Sequence, residues 1–329
     1  MNKVNEKPTL IVIAGPTAVG KSELAAELGR RIDGEVVSAD SMQVYRHMDI
    51  GSAKVTLEEM LGVPHHMIDV TDPSDPMDVV RYASMASACI EDIVSRGRVP
   101  ILCGGTGFYI QAVTHGIDFT ETGEDTAFRE EMREVAKREG PEALHARLAL
   151  IDPESALAIH PNNVKRVIRA LEFYRETGRP ISAHNEEQKK RTSPYDLVAF
   201  AITDDRAKMY ERIDRRVDFM MEAGLADEVA YLRAMGLDRT CVSMQGIGYK
   251  ELLDAMDGLM SYEEAVRAVK LGSRHYAKRQ LTWLRRDPDM IFIDRRDFGG
   301  DTWKVLDEII RIIEEKTKIR AHDVKDPYT

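Results

Sequence analysis

The chain is poor in cysteine and in aromatic residues, and it has no long apolar run. Its three cysteines (Cys89, Cys103, Cys241) are odd in number, far apart and never in a Cys-x-x-Cys pair. That spacing supports neither a disulfide framework nor a zinc ribbon, and it suits a reducing compartment. The first apolar stretch, residues 10–14, is too short to cross a bilayer and no cleavage-site pattern follows it. The protein is therefore expected to be cytoplasmic and unprocessed, with no membrane association. An excess of positive charge is also missing: 46 Lys+Arg against 56 Asp+Glu give a formal net charge of −10. This excludes a histone-like coat, so a polyanion could be met only where basic residues cluster.

What is present is a globular balance, 43% hydrophobic and 31% charged over 329 residues, enough chain for about two domains. In the first third, short apolar runs alternate with helical patterns, as in a parallel α/β sheet. Residues 9–14, 35–39 and 99–103 read as strands, 21–32 as a helix, and 76–96 as the crossover helix a parallel pair requires. From 118 to 194 the pattern changes to charged helical segments, among them 129–138 and 162–177. Residues 196–203 read as a strand returning to the sheet. The expected organisation is thus a discontinuous core (1–117 and 195–319) holding a nested all-helical insertion (118–194), then a flexible polar tail (320–329). Residues 290–293 read as a last strand and 301–316 as a last helix.

The strongest local signal is Gly15-Pro16-Thr17-Ala18-Val19-Gly20-Lys21-Ser22, which matches G-x-x-x-x-G-K-[ST] between a strand and a helix. Its glycines let several backbone N–H groups converge on one phosphate at the positive end of the helix. Lys21 adds a mobile charge and Ser22 a hydroxyl for Mg²⁺. The expected fold is accordingly α/β, a P-loop NTPase-like parallel sheet flanked by helices. Such a loop reads oxygens and charge rather than the group attached to them, so ATP is only the default ligand. An NTPase usually adds a strand ending in Asp to hold the metal, whereas residues 99–103 run into Gly104-Gly105; Asp69 and Asp294 are weaker substitutes.

Other residues gather around this loop or stand apart as clusters. Asp40-Ser41 follows the second strand at the end facing the same crevice, where a carboxylate serves as a base or, equally, as an N-cap or Asx turn. Gly104-Gly105-Thr106-Gly107-Phe108-Tyr109 ends the third strand, permitting close backbone approach and offering the Thr106 hydroxyl. His65-His66 falls in an expected loop with no metal-ligand partner at suitable spacing. Arg212, Arg215 and Arg216 share about one turn of a helix beginning near Asp205, with Glu211, Asp214 and Asp218 at hand to neutralise them. Between 267 and 286 lie Arg267, Lys270, Arg274, Lys278, Arg279, Arg285 and Arg286 without one acidic residue. The first four recur at helical spacing, and with Tyr276 and Trp283 they form a ridge suited to nucleic acid. In the insertion, Val164, Val167, Ile168, Leu171 and Tyr174 share one helix face and Lys165, Arg166 and Arg169 the other.

The following stretches occur in order: Gly-Pro-Thr-Ala-Val-Gly-Lys-Ser (15–22), Ser-Ala-Asp-Ser-Met-Gln-Val-Tyr (38–45), Asp-Ile-Gly-Ser-Ala-Lys (49–54), Pro-His-His-Met-Ile-Asp (64–69), Gly-Gly-Thr-Gly-Phe-Tyr (104–109), Gln-Gly-Ile-Gly-Tyr-Lys-Glu (245–251) and Arg-Gln-Leu-Thr-Trp-Leu-Arg (279–285). As an ordered set they make the sequence resemble the tRNA dimethylallyltransferases (tRNA isopentenyltransferases) of bacterial type. The resemblance implies transfer of a dimethylallyl group from dimethylallyl diphosphate to N6 of the adenosine 3′-adjacent to a tRNA anticodon. It implies that Gly15, Pro16, Thr17, Ala18, Val19, Gly20, Lys21, Ser22, Thr106 and Arg216 hold the diphosphate, with Mg²⁺ at Ser22. Thr17 would bond the oxygen bridging to the prenyl carbon, and Asp40 would handle the N6 proton. The RNA would be met by Asp40, Ser41, Met42, Gln43 and Thr106 at the base, and by Asn163, Val164, Lys165, Arg166, Val167, Gln245, Gly246, Arg274, Lys278 and Arg279 along the anticodon stem-loop. One departure is Lys165-Arg166, where the family often has Gln-Arg. The zinc finger of some eukaryotic relatives is absent, so no zinc is expected, and the protein is expected to be a monomer. A P-loop small-molecule kinase, a prenyltransferase for free adenine nucleotides and a non-catalytic RNA-binding module are the competing readings.

Overall fold

The computed structural model describes residues 7–116, 125–189 and 191–322, and the chain divides into two units: residues 1–114 with 193–329, and residues 115–192. The end of the expected tail, residues 323–329, and most of the stretch where the insertion was expected to begin lie outside the described residues. In chain order the first unit contains β1 (Thr9–Ala14), α1 (Lys21–Ile32), β2 (Gly34–Ala39), β3 (His65–His66), α2 (Val79–Ser95), β4 (Val99–Gly104) and α3 (Gly107–Thr114). The second unit holds α4 (Thr126–Glu139), α5 (Pro141–Ile151), α6 (Pro153–Ala158), α7 (Val164–Thr177) and α8 (Ile181–Lys189). The first unit then resumes with β5 (Asp196–Thr203), α9 (Arg206–Glu222), α10 (Leu225–Ala234), α11 (Tyr249–Met256), α12 (Tyr262–Leu284), β6 (Met290–Asp294) and α13 (Thr302–Lys316).

The six strands form one sheet in the order β3-β2-β4-β1-β5-β6, every neighbouring pair parallel. Along β1, Leu10, Val12 and Ala14 face a core that includes Tyr82 and Ile90 of α2, Tyr109 of α3 and Leu225 of α10. Ile11 and Ile13 face the opposite core, with Leu24 and Leu28 of α1 and Val305 and Ile309 of α13. Helices cover both faces, which is why these strands read as unbroken apolar runs and not as alternating ones. This is the P-loop NTPase-like arrangement. From β1 the chain crosses through α1 to β2 on one side, whereas after β4 it re-enters the sheet at β5 on the other. The crevice beyond the carboxyl ends of β1 and β4 is therefore the topological switch point, where open α/β sheets bind ligands.

One local expectation fails. His65-His66 is not in a loop but forms the edge strand β3, paired with Val36 and Val37. Two residues carry no periodicity, so pattern reading has nothing to detect. The pair has a structural use: His66 Nε2 is hydrogen-bonded at 2.7 Å to Glu35, whose carboxylate is 2% exposed and also paired with Arg96. Chiefly through Arg96, that carboxyl is held well below its ordinary range.

The second unit has its own core of Met132, Val135, Leu144, Leu148, Val167, Ile168 and Leu171. Within it the fully buried Glu172 accepts hydrogen bonds from Arg129 (2.7 and 3.0 Å) and Arg169 (2.8 Å). Asp152, 2% exposed, caps α6 and receives the backbone N–H and hydroxyl of both Ser155 and Ser182. Val167, a candidate RNA contact, is 0% exposed and belongs to this core, so its side chain packs inside the unit and does not reach a partner. Asn163, Lys165 and Arg166 are exposed, and Val164 is half-buried.

Candidate functional site

The phosphate-loop residues bend between β1 and α1. A Cβ on Gly15 would stand 2.7 Å from the Ile202 carbonyl, and Gly20 enters α1 at φ +91°. Ala18 is left-handed as well, at φ +62°. For a residue with a Cβ that conformation costs about 1 kcal/mol, so the surroundings must enforce it. They do so from outside the loop. Arg212 Nε donates to the Ala18 carbonyl at 3.0 Å and Arg295 Nη1 to the Val19 carbonyl at 3.4 Å. Arg212 is in turn paired at 2.6 Å with Asp204, whose side chain is 4% exposed. With the Ala18 and Val19 carbonyls engaged by these arginines, the loop keeps backbone N–H groups for an anion, as a phosphate cradle requires. Lys21 folds back over the loop, Nζ donating to the Pro16 carbonyl at 2.7 Å. Burial pushes its pKa down to about 8; Cys103 and Asp40 oppose that shift and Arg216 adds to it. Ser22, at the start of α1, is exposed.

Across the crevice, Asp40 directly follows β2. Its Oδ1 accepts the N–H of Met42 at 2.8 Å and of Gln43 at 3.4 Å, so the Asx turn considered from sequence is present. Among the described residues no hydrogen bond engages Oδ2, and the carboxylate lies close enough to Lys21, Arg216 and Tyr276 to act on their charges. The capping and the functional readings of Asp40 are therefore compatible. Thr106, after β4, accepts the Ser41 N–H at 3.1 Å and donates its own backbone N–H to Ala39, locking the two turns together. Gln43 is 9% exposed with its amide committed to Ser38 and Ala53. The Gln245-Gly246 turn lies against Met42, since a Cβ on Gly246 would run into the Met42 side chain.

Arg216 reaches into this crevice from α9, with Nη1 3.5 Å from the Thr17 hydroxyl, and burial lowers its pKa. The basic clusters are neutralised differently from the expectation. Asp214 and Asp218 do not pair with the arginines beside them in sequence; Asp214 binds Arg274 and Asp218 binds Lys270, both across the packing of α9 on α12. The ridge on α12 is thus compensated over its first half, which a reading confined to 267–286 could not detect. Lys278 and Arg279 remain exposed, Arg279 with its guanidinium 5.6 Å from the Tyr276 ring centroid.

The first unit therefore brings together the loop 15–22, Asp40 to Gln43, Thr106, Arg216, Gln245 and Gly246 at the carboxyl end of the sheet. Asn163 to Val167 belong to the second unit. Sequence reading missed Asp204 and Arg295, which carry no motif. It also missed Glu228 on α10. That carboxylate receives the backbone N–H groups of Asp49 (2.8 Å), Ile50 (2.7 Å) and Gly51 (3.1 Å) and the Tyr249 hydroxyl (2.8 Å). The stretch 49–54 is fixed at its other end by Lys54, bonded to Asp69 (2.6 Å), Asp49 and the Tyr45 carbonyl. Asp69 is thereby engaged, as is Asp294, which binds Arg296 at 2.6 Å. No described helix is long and apolar enough to cross a membrane.

Comparison with known proteins agrees with this geometry. The sequence matches the isopentenyl transferase family over residues 8–73 and the IPP transferase family over residues 43–287. It is 50% identical over 311 residues to the tRNA dimethylallyltransferase of Lachnoclostridium phytofermentans, covering 94% of this chain and 99% of that protein. The enzyme of the same name from Bacillus cytotoxicus is 48% identical over 318 residues, covering 97% and 98%. Among solved structures, the tRNA isopentenylpyrophosphate transferase of Bacillus halodurans superposes with a TM-score of 0.71 at 46% identity, covering 95% of this chain and 99% of that one. A eukaryotic dimethylallyltransferase acting on tRNA gives 0.80 at 29% identity, covering 98% and 83%. On matches of this extent and identity, the chain belongs to the IPP transferase family of tRNA dimethylallyltransferases.

Proposed function

We propose that this protein transfers the dimethylallyl group of dimethylallyl diphosphate to N6 of the adenosine 3′-adjacent to the anticodon in tRNA, releasing diphosphate. The observation that carries this reading is the opposition of two kinds of group at the switch point. Lys21, Arg216 and the loop face it with positive charge and N–H donors, and Asp40 faces it with a carboxylate. In the transfer, N6 attacks the first prenyl carbon, the carbon–oxygen bond breaks, and the electron pair leaves with diphosphate. Lys21, Arg216 and the loop N–H groups bear the charge that develops there, and the Thr17 hydroxyl meets the bridging oxygen. Asp40 accepts the N6 proton. An anticodon-loop base is unpaired and leaves its stack at modest cost, which lets the amine enter.

Mg²⁺ fits this site as an ion carried largely by the substrate. The protein offers the exposed Ser22 hydroxyl, while β4 ends in Gly104-Gly105 and both Asp69 and Asp294 are already paired. One protein oxygen plus phosphate oxygens and waters is a usual magnesium set. When bound there, the ion would help neutralise the leaving diphosphate. The glycines after β4 and the engagement of Asp69 and Asp294 also speak against a kinase, which would hold its metal with a strand-end aspartate.

The test is incubation with labelled dimethylallyl diphosphate, Mg²⁺ and either unmodified tRNA or AMP. Label in tRNA and not in AMP is expected. Label in AMP alone would make the protein a free-nucleotide enzyme, and label in neither would overturn the proposal.

A further inference from the structure

Gln280 lies on the face of α12 that also carries Tyr276, one turn before it, and Trp283, one turn after, and it is only 7% exposed. Its carboxamide spans two segments that leave the sheet on either side of the switch point. Oε1 accepts the Thr17 N–H at 2.9 Å, and Nε2 donates to the Gly105 carbonyl at 2.9 Å. The partners fix the amide's orientation, because an N–H must face the oxygen and a carbonyl the nitrogen. A Cβ on Gly105 would overlap the carboxamide and would stand 3.3 Å from the Gly15 carbonyl, so both turns meet at this side chain. Trp283 packs in the same way where Gly107 has no side chain. Thr106, the residue after Gly105, accepts the Ser41 N–H at 3.1 Å. Through Gln280, Gly105 and the adjoining Thr106, hydrogen bonds thus link Thr17 to the turn that carries Asp40. Since the Thr17 N–H is bound to Gln280, its hydroxyl is the group left to face a donor.

We propose that Gln280 is a positioning residue for group transfer: its carboxamide sets the spacing between the Thr17 loop and the Asp40 turn, and so between the carbon that is attacked and the amine that attacks it. The inference rests on the prenyl-transfer reading and extends it to a residue outside both substrate cradles. A spacer of this kind acts on the rate of transfer more than on the affinity for either substrate, since each cradle keeps its own contacts.

The test compares the wild-type protein with Gln280→Met, which keeps length and volume without the hydrogen bonds, and Gln280→Glu. Melting temperature, pyrophosphate affinity, anticodon stem-loop affinity and the single-turnover rate of prenyl transfer are measured for each. For Gln280→Met, both affinities are expected within about threefold of wild type and the transfer rate lower by roughly 10- to 100-fold. For Gln280→Glu, the ionised carboxylate repels the Gly105 carbonyl, while the protonated acid can donate to it as the amide does. Its rate relative to wild type should therefore recover as pH falls from about 8 to about 6. Asp40, Lys21 and Arg216 are common to both proteins and cancel in that ratio. A Gln280→Met rate within about threefold of wild type would overturn the proposal. So would a rate loss matched by an equal loss of pyrophosphate affinity or of folding, and so would a flat pH ratio for Gln280→Glu. Absence of transfer by the wild-type chain would instead refute the prenyl-transfer reading, and this inference with it.

Discussion

Lys21 shows how one residue couples folding to ligand. Its pKa near 8 lies below the ordinary 10.5 because burial disfavours the charged form. In the free protein, keeping Lys21 charged therefore costs stability below about pH 8, and the cost fades as pH rises toward 10.5. A bound diphosphate reverses the balance by supplying opposite charge. Pyrophosphate binding should consequently take up a proton between about pH 8 and 10 and weaken as pH rises through that window. Calorimetry in two buffers of different ionisation enthalpy reads the proton count, and none taken up would refute the assignment. Asp40 permits a second residue-scale test. Asparagine still accepts the Met42 N–H and preserves the Asx turn, but it takes no proton. Asp40→Asn is expected to retain stem-loop affinity and lose roughly 10²- to 10⁴-fold in transfer rate. A rate near wild type would show that the carboxylate only shapes the turn.

At the scale of elements, the packing of α9 on α12 decides which basic residues are left for RNA. Arg274 and Asp214 form a neutral pair, whereas Lys278 and Arg279 are exposed. Removing Lys278 or Arg279 as glutamine should lower the slope of log affinity against log salt by ~0.7 each, the value for a single-stranded phosphate contact. The double variant Arg274→Gln/Asp214→Asn should leave that slope close to wild type. A fall as large as that of Arg279→Gln would mean that Arg274 meets phosphate despite its partner. On α10, Glu228→Ala removes the acceptor for three successive N–H groups and the Tyr249 hydroxyl. The expected cost is about 2–3 kcal/mol, together with faster amide hydrogen exchange at 49–51. Unchanged exchange there would show that Lys54 alone fixes the stretch.

For the whole molecule, what could be read from sequence follows from how far apart the relevant residues lie. β1, β2, β4 and β5 were legible because both faces of the sheet are buried and each strand is a run of apolar side chains between turns. The phosphate loop was legible because its chemistry is written in eight consecutive residues. The pairing of Asp214 with Arg274 was not, since it depends on two helices meeting sixty positions apart in the chain. Glu228 carried no signal, being one acid among many on a helix surface. Gln280 stood inside a recognisable stretch, yet its role emerges only where two glycine turns converge on it.

The clamping of the Ala18 and Val19 carbonyls by Arg212 and Arg295 bears on the enzyme's working cycle. A receptacle shaped before any visitor arrives grips departing pyrophosphate by the same donors that welcomed the prenyl ester. Escape of that by-product, rather than bond exchange, should then set the steady pace. Rapid-mixing experiments should show a first round of tRNA modification, equal to the enzyme present, that outruns all later ones; a linear start would contradict it.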